Sequence, residues 1–279
     1  MAESSEIYAA QLAAVQAQNA RIYGPPTTGD SWGGASARQF RFDPDRVMDG
    51  NLAVIASYVR PDDAVVDVGG GAGRVCLPLS RLCREVVNVE PSPGMGAEFQ
   101  SSADEAGITN ARLVSASLAD ANAPNGDIVF TADVTYFVSN IAEFVRQMEA
   151  AAARRVMITI WSEPPPNRRA KLFHLIYGEE QKIFPGQAQL LPVLWDLGIL
   201  PDVQVMPESP WWENQRPPTR EAAMEMVLED RVVKPQDKDR ARPLIESHFD
   251  ELFAASDTGF VPLWRLEMRE VLITWETGV

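Results

Sequence analysis

The run Asp67-Val68-Gly69-Gly70-Gly71-Ala72-Gly73 constrains this chain more than any other feature, because it joins a short apolar stretch to a helix-prone one. Glycines at such a turn allow positive φ and a close approach of backbone to a ligand, and the helix that follows presents free N–H groups to it. The apolar stretch, Ala64 to Val68, reads as a parallel strand covered on both faces. A strand buried on both sides needs helices on both sides, so the turn already points to an α/β architecture.

The rest of the chain repeats that logic. An Ala/Gln-rich helix is expected over Ile7 to Ala20, followed by an arm broken by Gly24-Pro25-Pro26 and Gly33-Gly34. Met48, Leu52, Ile55 and Val59 recur at helical spacing behind Asp43-Pro44. Helix is then expected over Arg74 to Arg84, Pro93 to Ala106 and the Ile141, Phe144, Val145, Met148 stripe. Strands are expected over Val86 to Val89, Ala111 to Val114, Asp127 to Thr131 and Arg155 to Ile160. This alternation implies right-handed crossovers and a parallel sheet. After Pro164-Pro165-Pro166 come helices about Arg168 to Gly178 and Gln187 to Leu197, and a strand at Val203 to Met206. Two helices follow, Thr219 to Asp230 and Gln236 to Phe253, and a last strand within Trp264 to Trp275. The division expected is an N-terminal helix and arm over 1–45, an α/β domain over 46–206 and 258–279, and a helical insertion over 207–257. Arm and insertion are candidate lids.

A dinucleotide-binding turn is the nearest competitor, but its pattern wants a glycine at the sixth place from Gly69, where this chain has Arg74. Val86 to Val89 ends in Glu90-Pro91, an acid placed to accept both hydroxyls of a ribose; that suits NAD equally and supports a nucleoside without choosing it. The pattern of Asp67, Gly69, Gly71 and Gly73 resembles the first motif of class I S-adenosylmethionine-dependent methyltransferases: an acid, any residue, then Gly-x-Gly-x-Gly. The resemblance covers roughly Asp62 to Ile160. It implies a Rossmann-like seven-stranded, mostly parallel sheet with helices on both faces, to which the N-terminal arm and the helical insertion are added. It also implies S-adenosylmethionine as cofactor. The glycines then make room for its methionine and ribose portions, Asp67 orients its polar groups, and Glu90 with Pro91 takes the ribose. Ser117 and Leu118 bracket the adenine, and Asp133 and Val134 line the methyl-transfer site. Ser117 departs from the acid more usual near that place, which makes Asp120 an alternative partner.

For the other half of the reaction, Tyr136 and His174 are the candidate catalytic residues, Tyr136 for its place beyond a strand end and His174 for its pKa range. Trp32 and Trp211-Trp212 are candidate pocket walls, and Arg216 and Arg220 candidate partners of an acceptor carboxylate. Asp133-Val134-Thr135-Tyr136 stands where an Asp/Asn-Pro-Pro-Tyr/Phe tetrapeptide would mark amino methylation of adenine or glutamine. With 25 Lys+Arg against 39 Asp+Glu the net charge is -14, which disfavours nucleic acid and anionic membrane as partners. A small-molecule acceptor is expected, with a homodimer left open and no metal site. Cys76 and Cys83 read as buried thiols, no stretch approaches the ~20 apolar residues of a membrane span, and the acidic start lacks a signal peptide's basic region, so the expected location is the cytoplasm. Two other readings share these features: a non-catalytic S-adenosylmethionine-binding or scaffolding protein, and an NAD(P)-dependent oxidoreductase.

Overall fold

The computed structural model describes residues 3–25, 29–30, 32–48, 50–120, 124–208 and 215–278. Helix α1 (Ser4–Tyr23) covers the expected N-terminal helix and buries Tyr8, Leu12, Val15 and Gln18 along one stripe. Tyr8 Oη donates to the carbonyl of Thr135 at 2.7 Å, so the helix is anchored beside the loop that follows the fourth strand. The short α2 (Ala35–Arg38) and α3 (Gly50–Ala56) follow, and α3 is shorter than the Met48 to Val59 stripe suggests.

Strand β1 (Ala64–Val68) forms where expected and is buried throughout. Burying a valine side chain there contributes roughly 1.5–3 kcal/mol. Helix α4 (Cys76–Leu79) is a correction to the expected Arg74 to Arg84 helix. Pro78 has no N–H for an i to i−4 bond, and the chain runs on in single turns such as Leu82 N–H to Leu79 O. Cys76 and Cys83 are free and buried. Then β2 (Glu85–Val89), α5 (Pro93–Glu105), β3 (Ala111–Val114), β4 (Gly126–Ala132), α6 (Ile141–Ala151) and β5 (Ala152–Trp161) alternate as the pattern predicts. Ser92 caps α5 by accepting from Met95 N–H, with Pro93 in its first turn.

The C-terminal third holds α7 (Ala170–Tyr177), α8 (Gln187–Asp196), β6 (Asp202–Val205), α9 (Arg220–Leu228), α10 (Lys238–Ser247), α11 (Phe249–Leu252), β7 (Phe253–Ser256), β8 (Gly259–Pro262) and β9 (Glu270–Glu276). The β7–β8 hairpin was not expected, and residue 257 lies in its turn. The last strand begins at Glu270 rather than Trp264. Leu266, whose alternation suggested strand, is exposed, and Arg269 is tied to Ser162 instead.

The seven-stranded sheet runs β3-β2-β1-β4-β5-β9-β6, with β9 antiparallel to both neighbours. After β1 the chain moves outward to β2 and β3, then returns on the other side of β1 as β4. That reversal opens a crevice beyond the carboxyl ends of β1 and β4, where open α/β sheets receive ligands. One core fills each face of the sheet. A third joins α7 (Leu172, Phe173, Ile176) to the insertion (Val227, Ile245, Phe249) and to Trp264.

Candidate functional site

Both loops of the crevice are drawn tight by backbone that only glycine adopts readily. Gly69, Gly71 and Gly73 have φ of 70°, 56° and 84°. A Cβ on Gly69 would come within 2.5 Å of Val134 Cγ2, so the turn after β1 and the loop after β4 touch. A Cβ on Gly73 would meet Leu77 at 2.6 Å and Phe99 at 2.9 Å, which fixes the turn against α5. Gly71 differs: the nearest atom to its Cβ position is Met95 Sδ at 3.6 Å. There the backbone borders space rather than packed side chain.

Glu90, buried at the end of β2, accepts from Gly71 N–H at 2.9 Å through one oxygen and from Ser92 N–H at 2.7 Å through the other. Burial raises its pKa, and those two N–H groups oppose the rise. Beside it, Asn88 Nδ2 donates to Gly71 O at 2.9 Å, so the turn is held from both of its polar groups. Asp67, the cross-strand partner of Asn88, is buried, and burial pushes its carboxyl up to about 7 against a hydrogen bond from the Cys76 thiol and the Arg74 charge. Asp67 Oδ1 and Asn88 Oδ1 are buried with no hydrogen-bond partner. A buried, unsatisfied carboxylate oxygen beside a glycine turn is costly unless a donor reaches it, which fits the polar end of a cofactor.

Across the crevice, Asp133 holds φ of 61°, strained for a residue with a side chain and worth roughly 1–3 kcal/mol of backbone energy. Its carboxylate accepts from Arg74 Nη2 at 3.1 Å and from Tyr136 Oη at 3.2 Å. Burial raises its pKa, opposed first by Arg74 and then by Tyr136. Tyr136 Oη also accepts from Trp161 N–H at 2.6 Å, and the ring is buried. Burial and the adjoining Asp133 charge hold the phenol well above its ordinary pKa. Glu270, the cross-strand partner of Trp161, completes the group; it accepts from Asn51 Nδ2 at 2.5 Å, and its pKa is raised by burial and by Asp133.

The structure thus brings Asp67, Gly69, Gly71, Gly73, Glu90, Asp133, Val134 and Tyr136 to one crevice. Pro91 is exposed beside Glu90, and Leu118 is buried beyond β3. Ser117 Oγ donates to Asp120 Oδ2 at 2.6 Å, so the two alternatives for the adenine partner form one pair. His174 stands apart: its side chain is 57% exposed and pairs with exposed Glu180. Trp32 packs edge-on against Phe40 and Phe137, and Phe137 against Phe184, which carries the arm over the loop after β4. Trp211-Trp212 lies outside the described residues.

Four contributors escaped the sequence reading. Asn88 and Glu270 had a signal, a polar residue within or opening an apolar strand run. Asp30 had none: from the irregular arm it accepts from Ser92 Oγ at 2.8 Å and Gly94 N–H at 2.7 Å, and the Gly94 bond holds its carboxyl below the usual range. Arg74 entered only as a missing glycine, yet it is the cation that faces Asp67, Asp133 and Glu270.

A family model described as a methyltransferase domain matches residues 65–154. The chain is 41% identical over 66 residues to 23S rRNA (uracil(1939)-C(5))-methyltransferase RlmD of Xanthomonas axonopodis pv. citri, covering 24% of this chain and 15% of that protein. It is 36% identical over 85 residues to the ubiquinone biosynthesis O-methyltransferase of Azorhizobium caulinodans, 30% of this chain and 33% of that one. Among solved structures, the YcgJ protein of Bacillus subtilis superposes with a TM-score of 0.55 at 13% identity, over 81% of this chain and 97% of that one. The matches to both curated relatives therefore span a third or less of those proteins' length. With the fold and the crevice they define the class: a Rossmann-like α/β methyltransferase fold. Residues 65–154 match a methyltransferase domain, set within a Rossmann-like α/β fold.

Proposed function

We propose that this protein transfers the methyl group of S-adenosylmethionine to a small-molecule acceptor in the cytoplasm. The observation that carries this reading is the contact of the two loops at the switch point. Gly71 and Glu90 lie on one side and Asp133 with Tyr136 on the other, joined where Gly69 meets Val134. The cofactor would supply an electrophilic methyl on a sulfonium, so the protein's share is positioning and exclusion of water. Glu90, already oriented by Gly71 N–H and Ser92 N–H, keeps lone pairs for ribose hydroxyls. Asp67 offers its orphan oxygen to the cofactor's polar end, Leu118 an apolar face to adenine, and Ser117 with Asp120 a polar edge.

On the acceptor side Asp133 is the ionisable group at the mouth, its side chain 30% exposed. Tyr136 positions it: the phenol is buried, donates to Asp133 Oδ1 and is fixed in turn by Trp161 N–H. His174, on the surface with Glu180, takes no part. The arm within 1–45 is the candidate lid that the described residues support, with Trp32, Phe137 and Phe184 as its apolar cover, and the insertion over 207–257 is the second candidate. The net charge of -14 and this cover favour a small acceptor over RNA. Buried, unlinked thiols suit the reducing cytoplasm.

Tritiated-methyl S-adenosylmethionine, incubated with the protein and a whole-cell extract, tests the reading. Label should appear, only when the protein is present, in a filterable small molecule that chromatography separates from S-adenosylmethionine. Label retained with RNA or with protein contradicts the acceptor class.

A further inference from the structure

Asp30 lies in the irregular arm, outside every helix and strand, yet its carboxylate ends on the first turn of α5. Its Oδ1 accepts from Ser92 Oγ at 2.8 Å and from Trp32 N–H at 3.1 Å, and its Oδ2 accepts from Gly94 N–H at 2.7 Å. The Gly94 bond, and after it the Ser92 bond, holds the carboxyl below its usual range, so Asp30 is charged at neutral pH.

The arm and the helix start fit too closely for a side chain between them. A Cβ on Gly94 would lie 2.5 Å from Gly33 Cα and 2.9 Å from Asp30 Oδ2, so the arm backbone runs directly against α5. The arm also reaches the glycine turn itself. Ala37 is wholly buried and shares one apolar cluster with Ala72 of that turn and with Met95 of α5. Met95 is in turn the residue whose Sδ is nearest the open side of Gly71.

Arm and cofactor wall meet at Ser92. Its N–H donates to Glu90 Oε1 at 2.7 Å, its hydroxyl donates to Asp30, and the hydroxyl oxygen accepts from Met95 N–H at 3.1 Å. The single hydroxyl proton is thus committed to Asp30, which leaves the lone pairs for the helix N–H. Capping the helix needs only the Met95 bond. The bonds from Ser92 and Gly94 to Asp30 add a second constraint, applied from outside the βαβ unit, on the residue whose N–H orients one oxygen of Glu90. The other oxygen is held by Gly71 N–H at 2.9 Å. A carboxylate that meets two adjacent hydroxyls needs both oxygens fixed, because rotating the group misaligns both hydrogen bonds at once.

We propose that Asp30 is a positioning residue of the cofactor site: through Ser92 it holds Glu90 in the geometry that receives the ribose hydroxyls. This rests on the methyltransferase reading and deepens it, since the cofactor site is then complete only with the N-terminal arm in place. Asp30 touches no reacting atom; it acts one hydrogen bond behind the N–H that Glu90 accepts.

The test is a double-mutant cycle on the full chain, read by calorimetry with S-adenosylhomocysteine. Asp30→Ala should weaken binding about fivefold or more, the coupling expected within one hydrogen-bond network. In a Glu90→Ala background the same substitution should change affinity by about twofold or less, because the group it acts through is gone. Arg38→Gln removes a different contact of the arm with α5, an exposed pair with Glu98 at 3.4 Å, and should leave affinity unchanged. If Asp30→Ala does not fold, Asp30→Asn, which keeps one acceptor oxygen and loses the charge, takes its place in the cycle. An arm that only stabilised the fold would weaken binding equally in both backgrounds. That outcome, no loss in the parent background, or an equal loss from Arg38→Gln overturns the proposal. Failure of S-adenosylhomocysteine to bind the unaltered protein would instead overturn the methyltransferase reading, so the two failures are distinct.

Discussion

The two walls of the crevice are built in opposite ways. On the cofactor side, Asp67 to Gly73 and Glu90 lie within one βαβ unit, and the polar groups that fix them come from the adjoining strand or turn. The acceptor side is assembled from far apart: Tyr8 of α1 binds Thr135 O, Arg74 from the turn after β1 reaches Asp133, and Asn51 reaches Glu270. A local site is written in consecutive residues, whereas a distributed site exists only after the chain has folded.

If that contrast holds, substitutions on the cofactor wall should destroy binding, and those on the acceptor wall should alter turnover while binding survives. The largest effect is expected of Gly71→Val. A β-branched residue at φ of 56° is strained and its side chain enters the open space, so S-adenosylhomocysteine binding should fall by about a hundredfold or more, read by calorimetry. Glu90→Ala should come next, with binding weakened about 10- to 100-fold, because it removes a charged acceptor and releases Gly71 N–H. Tyr136→Phe leaves Trp161 N–H without its acceptor and removes the phenol donor to Asp133 Oδ1, while Arg74 stays on the other oxygen. Turnover should drop about tenfold with cofactor affinity unchanged, and a parallel loss of both would remove the distinction between the walls.

Asp67 adds a dependence on pH. Its folded pKa, pushed to about 7, lies above the unfolded carboxylate value, so the folded state holds this proton more tightly. The stability it contributes is present at low pH and lost as pH rises through about 7. The melting temperature of the cofactor-free protein should therefore fall between about pH 4 and 7. Glu90, Asp133 and Glu270 act in the same direction, so Asp67→Asn should flatten part of that slope, not all of it. The smallest effect is expected of His174→Ala, whose surface pairing with Glu180 predicts a stability change within about 0.5 kcal/mol and unaltered turnover.

The same contrast explains what was legible. Strand β1 matched its expected span to the residue, because a mostly apolar run between turn residues has few other uses, and β3 matched as well although exposed Arg112 interrupts it. Helix α4 fell short because Pro78 outweighed a helical-looking composition, and the β7–β8 hairpin was missed because Phe253-Ala254-Ala255-Ser256 carries no alternation of its own. Asp133 and Tyr136 were visible from their place after β4, but not the Arg74 and Trp161 bonds that define them. Of the two arginines singled out for a carboxylate, the fold turns Arg220 toward Phe249 and Asp250.

The central claim is that the crevice between β1 and β4 is made for S-adenosylmethionine, and competitive calorimetry on the unaltered protein tests it most directly. S-adenosylhomocysteine should bind at one site per chain and should not be displaced by NADH, since Arg74 occupies the position where a dinucleotide turn needs its third glycine. No binding of S-adenosylhomocysteine, or its displacement by NADH, would contradict the account.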